Sequence, residues 1–172
     1  MAEWADQLTE LVATRGAELQ RYGFLLTGDR AEAADLVQEA LVRVFARPRR
    51  AWRLGEIEGY VRRTMLNRYL DLYRRRARYR ALVPQLAEDP VGPDGSEQLA
   101  DRLQLMVALG TLSPTQRACV VLRYYEDLPV AAVAERLGRR EGTVKRHLSD
   151  ALERLGVALT DACRELGEGV SS

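Results

Sequence analysis

Histidine occurs once in the 172 residues, as His147, and cysteine twice, as Cys119 and Cys163. One imidazole gives a histidine-based triad or metal cluster little to work with. Two widely separated cysteines make neither a disulfide framework nor a zinc-ligand pattern. Both thiols read as small buried hydrophobes. No apolar run approaches the roughly 18 residues that a membrane span needs. The opening residues, Met1-Ala-Glu-Trp-Ala-Asp6, lack the basic start and apolar stretch of a secretory signal, so a cytoplasmic location is expected. No glycine-rich phosphate loop follows a strand-like run, and no catalytic residue, metal or cofactor is assigned.

Lysine is nearly missing too. Of the 26 basic residues, 25 are arginine and one is Lys145, which reads as codon bias from a GC-rich genome. Hydrophobic residues make up 47% and charged residues 30%, the balance of a folded globular chain. The formal charge of +1 conceals strong patterning. Residues 1–34 are net −3, 48–80 net +8, 81–112 net −4 and 113–155 net +2. Two basic segments separated by an acidic one suggest two anion-facing surfaces. The near-zero total argues against strong unaided DNA binding, because sequence-independent affinity comes mainly from phosphate neutralisation.

Apolar residues recur at helical spacing almost throughout, and no alternating strand pattern is present, so the fold is expected to be all-α. A first helix over Trp4–Leu26 turns Leu8, Leu11, Val12, Leu19 and Tyr22 inward. Thr27-Gly28-Asp29 breaks it, and Asp29 with Glu32 forms a capping-box-like start to a second helix. That helix buries Leu36, Val37, Ala40, Leu41, Val44 and Phe45 and ends at Pro48. After the basic loop Arg49–Gly55, a long helix spans about Ile57–Tyr79. Residues 81–96 hold Pro84, Pro90, Pro93, Gly92 and Gly95 with Glu88, Asp89 and Asp94, which reads as a flexible acidic linker.

Beyond it, Leu99, Leu103, Met106 and Leu109 make one stripe. Ser113-Pro114-Thr115-Gln116 has an N-cap serine, a proline at the first helical position and the capping-box glutamine. Pro129 opens a short helix that Gly138 closes. In the final helix, at about 100° per residue, Val144, Leu148, Ala151, Leu152 and Leu155 share an apolar arc. Gly142, Arg146, Ser149, Asp150 and Glu153 lie opposite, flanked by Thr143, Lys145 and His147. Helix, glycine turn and a second helix exposing basic and hydroxyl residues in its first turns form a helix-turn-helix pattern. Residues near the start of such a helix reach base edges in the major groove. Arg139 and Arg140 suit phosphates; Arg146 and Lys145 suit guanine, and Ser149 several bases. A solvated helix face, with Arg146 paired to Asp150, is the competing reading.

Several stretches resemble the sigma factors of bacterial RNA polymerase. Leu112-Ser-Pro-Thr-Gln-Arg117, Leu122-Arg-Tyr-Tyr-Glu-Asp-Leu128 and Gly142-Thr-Val-Lys145 resemble the region-four domain. Ala34-Asp-Leu-Val-Gln-Glu-Ala40 resembles the region-two signature. Tyr60-Val-Arg-Arg-Thr64 with Asn67-Arg-Tyr-Leu-Asp71 resembles the promoter-melting helix. The combination, along about residues 9–157, is similar to the two-domain, extracytoplasmic-function type of the sigma-70 family.

The resemblance implies a region-two domain over 1–80, the linker over 81–96, a region-four helix-turn-helix domain over 97–160 and a tail over 161–172. It implies minus-thirty-five recognition by Arg139, Arg140, Thr143, Lys145, Arg146, His147 and Ser149. Minus-ten recognition and melting fall to Trp52, Tyr60, Arg63, Asn67, Asp71, Arg74 and Arg75. Trp52, in the loop 48–58 that would hold a flipped base, is either a platform for that base or a cap on the core. Tyr60, Arg63, Asn67, Asp71 and Arg74 also form a helical stripe opposite Met65, Leu66, Tyr69, Leu72 and Tyr73, the residue types that suit unstacked DNA bases. The run Arg74-Arg75-Arg76 reads as a phosphate contact or as a solvated helix end.

Asp35, Gln38, Glu39 and Arg43 would face the coiled-coil clamp of the largest core subunit, an assignment that rests on resemblance alone. The implied partners are core RNA polymerase, promoter DNA and an anti-sigma factor of the kind common in this family; the free chain is expected to be monomeric. Asp150, Arg140 and His147 depart from the usual pattern and bear on minus-thirty-five specificity, and Pro129 replaces the more usual Ser or Thr before the short helix. Two other functions compete. One is a stand-alone helix-turn-helix regulator, because Gly142–Leu155 also resembles response-regulator output domains. The other is a helical adaptor that binds no DNA, against which the net +8 of 48–80 argues.

Overall fold

A computed structural model describes residues 2–46, 53–82 and 97–168, with side chains over 5–46, 53–79 and 102–160. The described residues are helical, with turns between helices and no strand. The chain divides into two compact units, Met1–Glu88 and Asp89–Ser172.

The first unit holds α1 (Ala2–Thr27), α2 (Arg30–Phe45) and α3 (Leu54–Leu82). Gly28 ends α1 at φ 80, a left-handed conformation that glycine adopts without a Cβ penalty. Asp29 then caps α2, its carboxylate accepting from the Glu32 N–H at 2.8 Å. Only this half of the expected capping box forms. The Asp29 N–H goes to Thr27 Oγ1 at 3.3 Å, and the Glu32 carboxylate turns to Arg76 of α3 at 2.7 Å. A charged partner makes a stronger hydrogen bond than a neutral amide, so Glu32 serves tertiary packing rather than the cap.

The α1–α2 hairpin is close at its joined end, where a Cβ on Gly23 would lie 3.2 Å from Ala33. α3 packs on both helices. Leu11, Leu19, Tyr22 and Leu26 meet Leu36, Val37, Ala40 and Val44 and the inward side of α3, Ile57, Val61, Met65, Leu66 and Tyr69. Each large apolar side chain so covered contributes about 1.5–3 kcal/mol. Turning α3 the other way would instead bury Arg63, Asn67 and Asp71. Val12, expected inside, is 48% exposed, and Leu41 and Phe45 are half-buried. α3 begins at Leu54 rather than Ile57, because the Arg53 carbonyl accepts from the Ile57 N–H and Glu56 reaches back to the Arg53 N–H at 2.9 Å. It continues through Ala81 and Leu82, two residues expected in the linker; 83–96 lie outside the described residues.

The second unit holds α4 (Glu97–Gly110), α5 (Pro114–Val120), α6 (Val130–Leu137) and α7 (Glu141–Glu168). Ser113 and Gln116 make the full reciprocal capping box, at 3.2 and 3.0 Å. α5 then widens into a π-helical turn, Val121–Tyr125, which the sequence pattern did not foretell. The Glu126 N–H bonds back to the Val121 carbonyl at 3.1 Å, and Asp127 takes a left-handed φ of 53. Aspartate tolerates that conformation better than most residues. α7 runs on past 160, into what was expected to be a tail, because Asp161–Glu168 contains no proline and only one glycine. Among the described residues no helix is long and apolar enough to cross a membrane.

Candidate nucleic-acid interface

In the second unit the site is built around Gly138. It sits at φ 60, ψ 40 and closes α6. Its N–H bonds to the Glu135 carbonyl at 3.2 Å and the Arg139 N–H to the Ala134 carbonyl at 2.9 Å, the two bonds of a Schellman turn. The chain then re-enters helix at once, the Arg140 carbonyl accepting from Thr143 and Val144. Val133 and Ala134 of α6 lie under Val144, Leu148, Ala151 and Leu155 of α7, all buried. Leu152, expected in the same arc, is 47% exposed. It lies at the edge of that arc, beyond the cover its own unit supplies.

With the apolar side of α7 fixed, the opposite side is open. Arg139, Arg140, Lys145, Arg146 and Ser149 are exposed; Thr143 and His147 are half-buried at the flanks. No ion pair among the described residues ties Arg146 to Asp150. Cys119 lies beneath this turn, fully buried, its thiol pushed up to about 11 by desolvation against a smaller opposing pull from Arg139. It is protonated at neutral pH, which fits packing rather than reactivity.

In the first unit, Tyr60, Arg63, Asn67, Asp71, Arg74 and Arg75 are all exposed on α3, opposite Met65, Leu66 and Tyr69. Two members of that stripe hold each other, Arg74 donating to Asp71 at 3.0 Å. Trp52 lies outside the described residues. On α2, Asp35, Gln38 and Arg43 are exposed, and Glu39 forms a bidentate ion pair with Arg68 of α3. Sequence reasoning gave Arg68 no role and read Arg76 as a phosphate contact or a solvated helix end, whereas both arginines face α2, Arg68 at Glu39 and Arg76 at Glu32. Arg68 and Arg76 stand eight positions apart on α3 with Leu72 midway, and that spacing was visible as one helix face. Nearer the start of α3, Glu58 joins Arg62 at 2.6 Å and Arg15 of α1 at 3.4 Å, with the Arg62 guanidinium 5.6 Å from the Tyr22 ring centre.

Comparison with known proteins gives this geometry a context. Residues 11–79 match the family model described as sigma-70 region 2, and residues 102–155 match sigma-70, region 4. The chain is 39% identical over 153 residues to the RNA polymerase sigma-E factor of Streptomyces coelicolor, covering 87% of this chain and 84% of that protein. It is 37% identical over 170 residues to the ECF RNA polymerase sigma factor SigL of Mycobacterium tuberculosis, covering 91% of both. Among solved structures, its fold is like that of the sigma factor RpoE from Bartonella quintana, crystallised with the anti-sigma factor NepR. There the TM-score is 0.68 at 22% identity, over 93% of this chain and 98% of that one. A region-two match upstream of the helix-turn-helix removes the stand-alone regulator, which would carry a sensor or dimerisation domain there. The chain belongs to the sigma-70 family as an RNA polymerase sigma factor of the extracytoplasmic-function type, a factor that directs promoter-specific transcription initiation.

Proposed function

We propose that the two units divide the promoter between them. The first turns of α7 enter the major groove of the minus-thirty-five element, with Lys145, Arg146 and Ser149 at base edges, Thr143 and His147 at the flanks, and Arg139 and Arg140 on phosphates. The exposed α3 stripe, Tyr60, Arg63, Asn67, Asp71 and Arg74 with Arg75, holds the minus-ten strand as it unstacks, and Trp52 serves the flipped base. Asp35, Gln38, Glu39 and Arg43 of α2 meet core polymerase. The observation that carries this reading is the open face of α7. Directly after a rigid glycine turn, basic and hydroxyl side chains stand exposed, and Arg146 and Lys145 make no ion pair within the described residues.

The protein acts in the cytoplasm by binding rather than by catalysis, as a monomer when free. Its region-two domain runs to the end of α3 at Leu82 and its region-four domain covers α4 to α7, from Glu97 to Glu168, with the acidic segment 83–96 joining them. The Bartonella sigma factor is held in its crystal by an anti-sigma factor, and a protein of that class is proposed as a regulator here. Run-off transcription from a randomised promoter library, with core polymerase alone and with this protein, tests the whole reading. Protein-dependent starts sharing two spaced upstream elements are expected. Starts that share only a minus-ten-like element would remove the role given to α7.

A further inference from the structure

We propose that Asp150 is a specificity-determining residue of the minus-thirty-five contact, its carboxylate accepting from the exocyclic N4 amino group of one cytosine. The inference rests on the reading of α7 as the major-groove helix and deepens it by naming a base that this helix selects.

Gly142, Arg146 and Asp150 stand about one turn apart along the open face of α7, and all three are exposed. Asp150 has an arginine four positions away on either side, Arg146 and Arg154, the spacing at which ion pairs form along a helix. It pairs with neither. Arg154 donates instead to the Thr111 carbonyl at 3.3 Å, and Asp150 makes no ion pair or hydrogen bond through its side chain among the described residues. Phosphates line both edges of the groove, so a carboxylate on a helix that enters it is repelled unless a base edge offers a donor.

The edges of the bases narrow the choice. Guanine presents two acceptors, N7 and O6, and thymine an acceptor and a methyl group. Adenine sets its N6 donor beside the N7 acceptor. Cytosine alone presents a donor with no acceptor next to it on the same base. A carboxylate only accepts, so it fits cytosine and is repelled by the others. Aspartate is short, and reaching a base requires α7 to lie deep in the groove. Gly142, two turns earlier on the same line, puts no side chain in the way. A Cβ built there would meet nothing within 4 Å, so no neighbour among the described residues crowds that position, although glycine is a poor helix former. Asp150 thus lowers affinity for most sequences and spares the one with cytosine in place.

The test is run-off transcription by core polymerase with the full-length protein, on a promoter whose minus-thirty-five positions are varied one at a time. The unaltered protein should prefer cytosine at one position, on one strand, by roughly tenfold or more over the other bases. Asp150→Ala should level that position alone, by raising transcription from the three disfavoured bases. Asp150→Asn should move the preference there to adenine, whose N6 and N7 match a carboxamide. Melting should be the same for all three proteins, because Asp150 is exposed. No cytosine-preferring position, an Asp150→Ala profile unchanged at every position, or a rise equal for all sequences would overturn the proposal. If Arg146→Ala still alters one position, the reading of α7 stands without it. Profiles that none of these variants changes would overturn both.

Discussion

Two glycines carry opposite physical burdens, and replacing each by alanine separates them. Gly138 is left-handed at φ 60, yet a Cβ there meets nothing within 4 Å. The cost of Gly138→Ala is therefore conformational alone. A left-handed non-glycine residue costs about 1–2 kcal/mol. Stiffening the unfolded chain returns about 0.4–1 kcal/mol. The net is a loss of about 1 kcal/mol, which lowers the melting temperature of a unit this size by about 4–8 °C. Gly138→Asn should lose less, because asparagine visits this region more readily. Melting of the full chain by circular dichroism measures both, and run-off from a minus-thirty-five-dependent promoter should fall in the same order, since this turn sets how α7 leaves α6.

Gly23 reverses the argument. It sits inside α1, where alanine would gain up to about 1 kcal/mol of helix propensity. Against that gain stand the Ala33 Cβ and carbonyl oxygen, each 3.2 Å from the new Cβ. The helices must part, so Gly23→Ala should destabilise the first unit in spite of propensity. A neutral or stabilising Gly138→Ala, or an asparagine worse than alanine there, would refute the conformational reasoning. A stabilising Gly23→Ala would refute the close approach.

Arg146→Ala should weaken use of the cognate minus-thirty-five element by about 1–3 kcal/mol in a transcription or anisotropy assay; equal losses on scrambled elements would reduce Arg146 to a phosphate contact. Ser113→Ala removes the acceptor for the Gln116 N–H and should cost about 1 kcal/mol in urea unfolding, while Ser113→Asp should retain most of the stability. Cys119 should resist thiol reagents at pH 8 in a Cys163→Ser background. Its thiol loses its proton near 9 when unfolded and about 11 when folded, so above pH 9 the unfolded chain binds fewer protons and stability falls as pH rises towards 11. A Cys119→Ala variant lacking that slope confirms the assignment; an identical slope refutes it.

How much of this was legible beforehand depended on which interactions were local. The Ser113 capping box, the Gly138 turn and the inward faces of α2 and α7 follow from short-range rules, and the sequence displays each as a pattern. Whatever depended on a second helix was hidden. Glu32 looked like the partner of Asp29 in a cap until Arg76 proved the better one, across 44 positions of sequence. Asp35 and Glu39 read as equivalent members of one polar face, yet one is held by α3 and the other is open. Val12 and Leu152 satisfy helical periodicity and are still half in water, because periodicity states which side is apolar and not how far a neighbour extends. The π-helical turn at Val121–Tyr125 has no composition signal at all.

The same hidden pairings decide how the protein meets DNA. The +8 of residues 48–80 suggests a strongly phosphate-seeking helix, but that figure already counts Glu58 and Asp71 against Arg62 and Arg74, and two carboxylates of α2 take up two more arginines. Arg62 is held by Glu58, Arg68 by Glu39, Arg74 by Asp71 and Arg76 by Glu32. Each phosphate such an arginine met would have to displace a carboxylate that stays nearby, so the counterions released on binding are fewer than the arginines present. The open arginines of α3 and the separate cluster at the start of α7 are then too few to hold duplex DNA at physiological salt unless core polymerase supplies further contacts. Fluorescence anisotropy on a promoter duplex should show weak binding by the free protein, with a shallow salt slope, and tight binding only once core polymerase is added. Tight, steeply salt-dependent binding by the protein alone would mean that these ion pairs open at little cost on DNA, and that the argument from engaged charge is wrong.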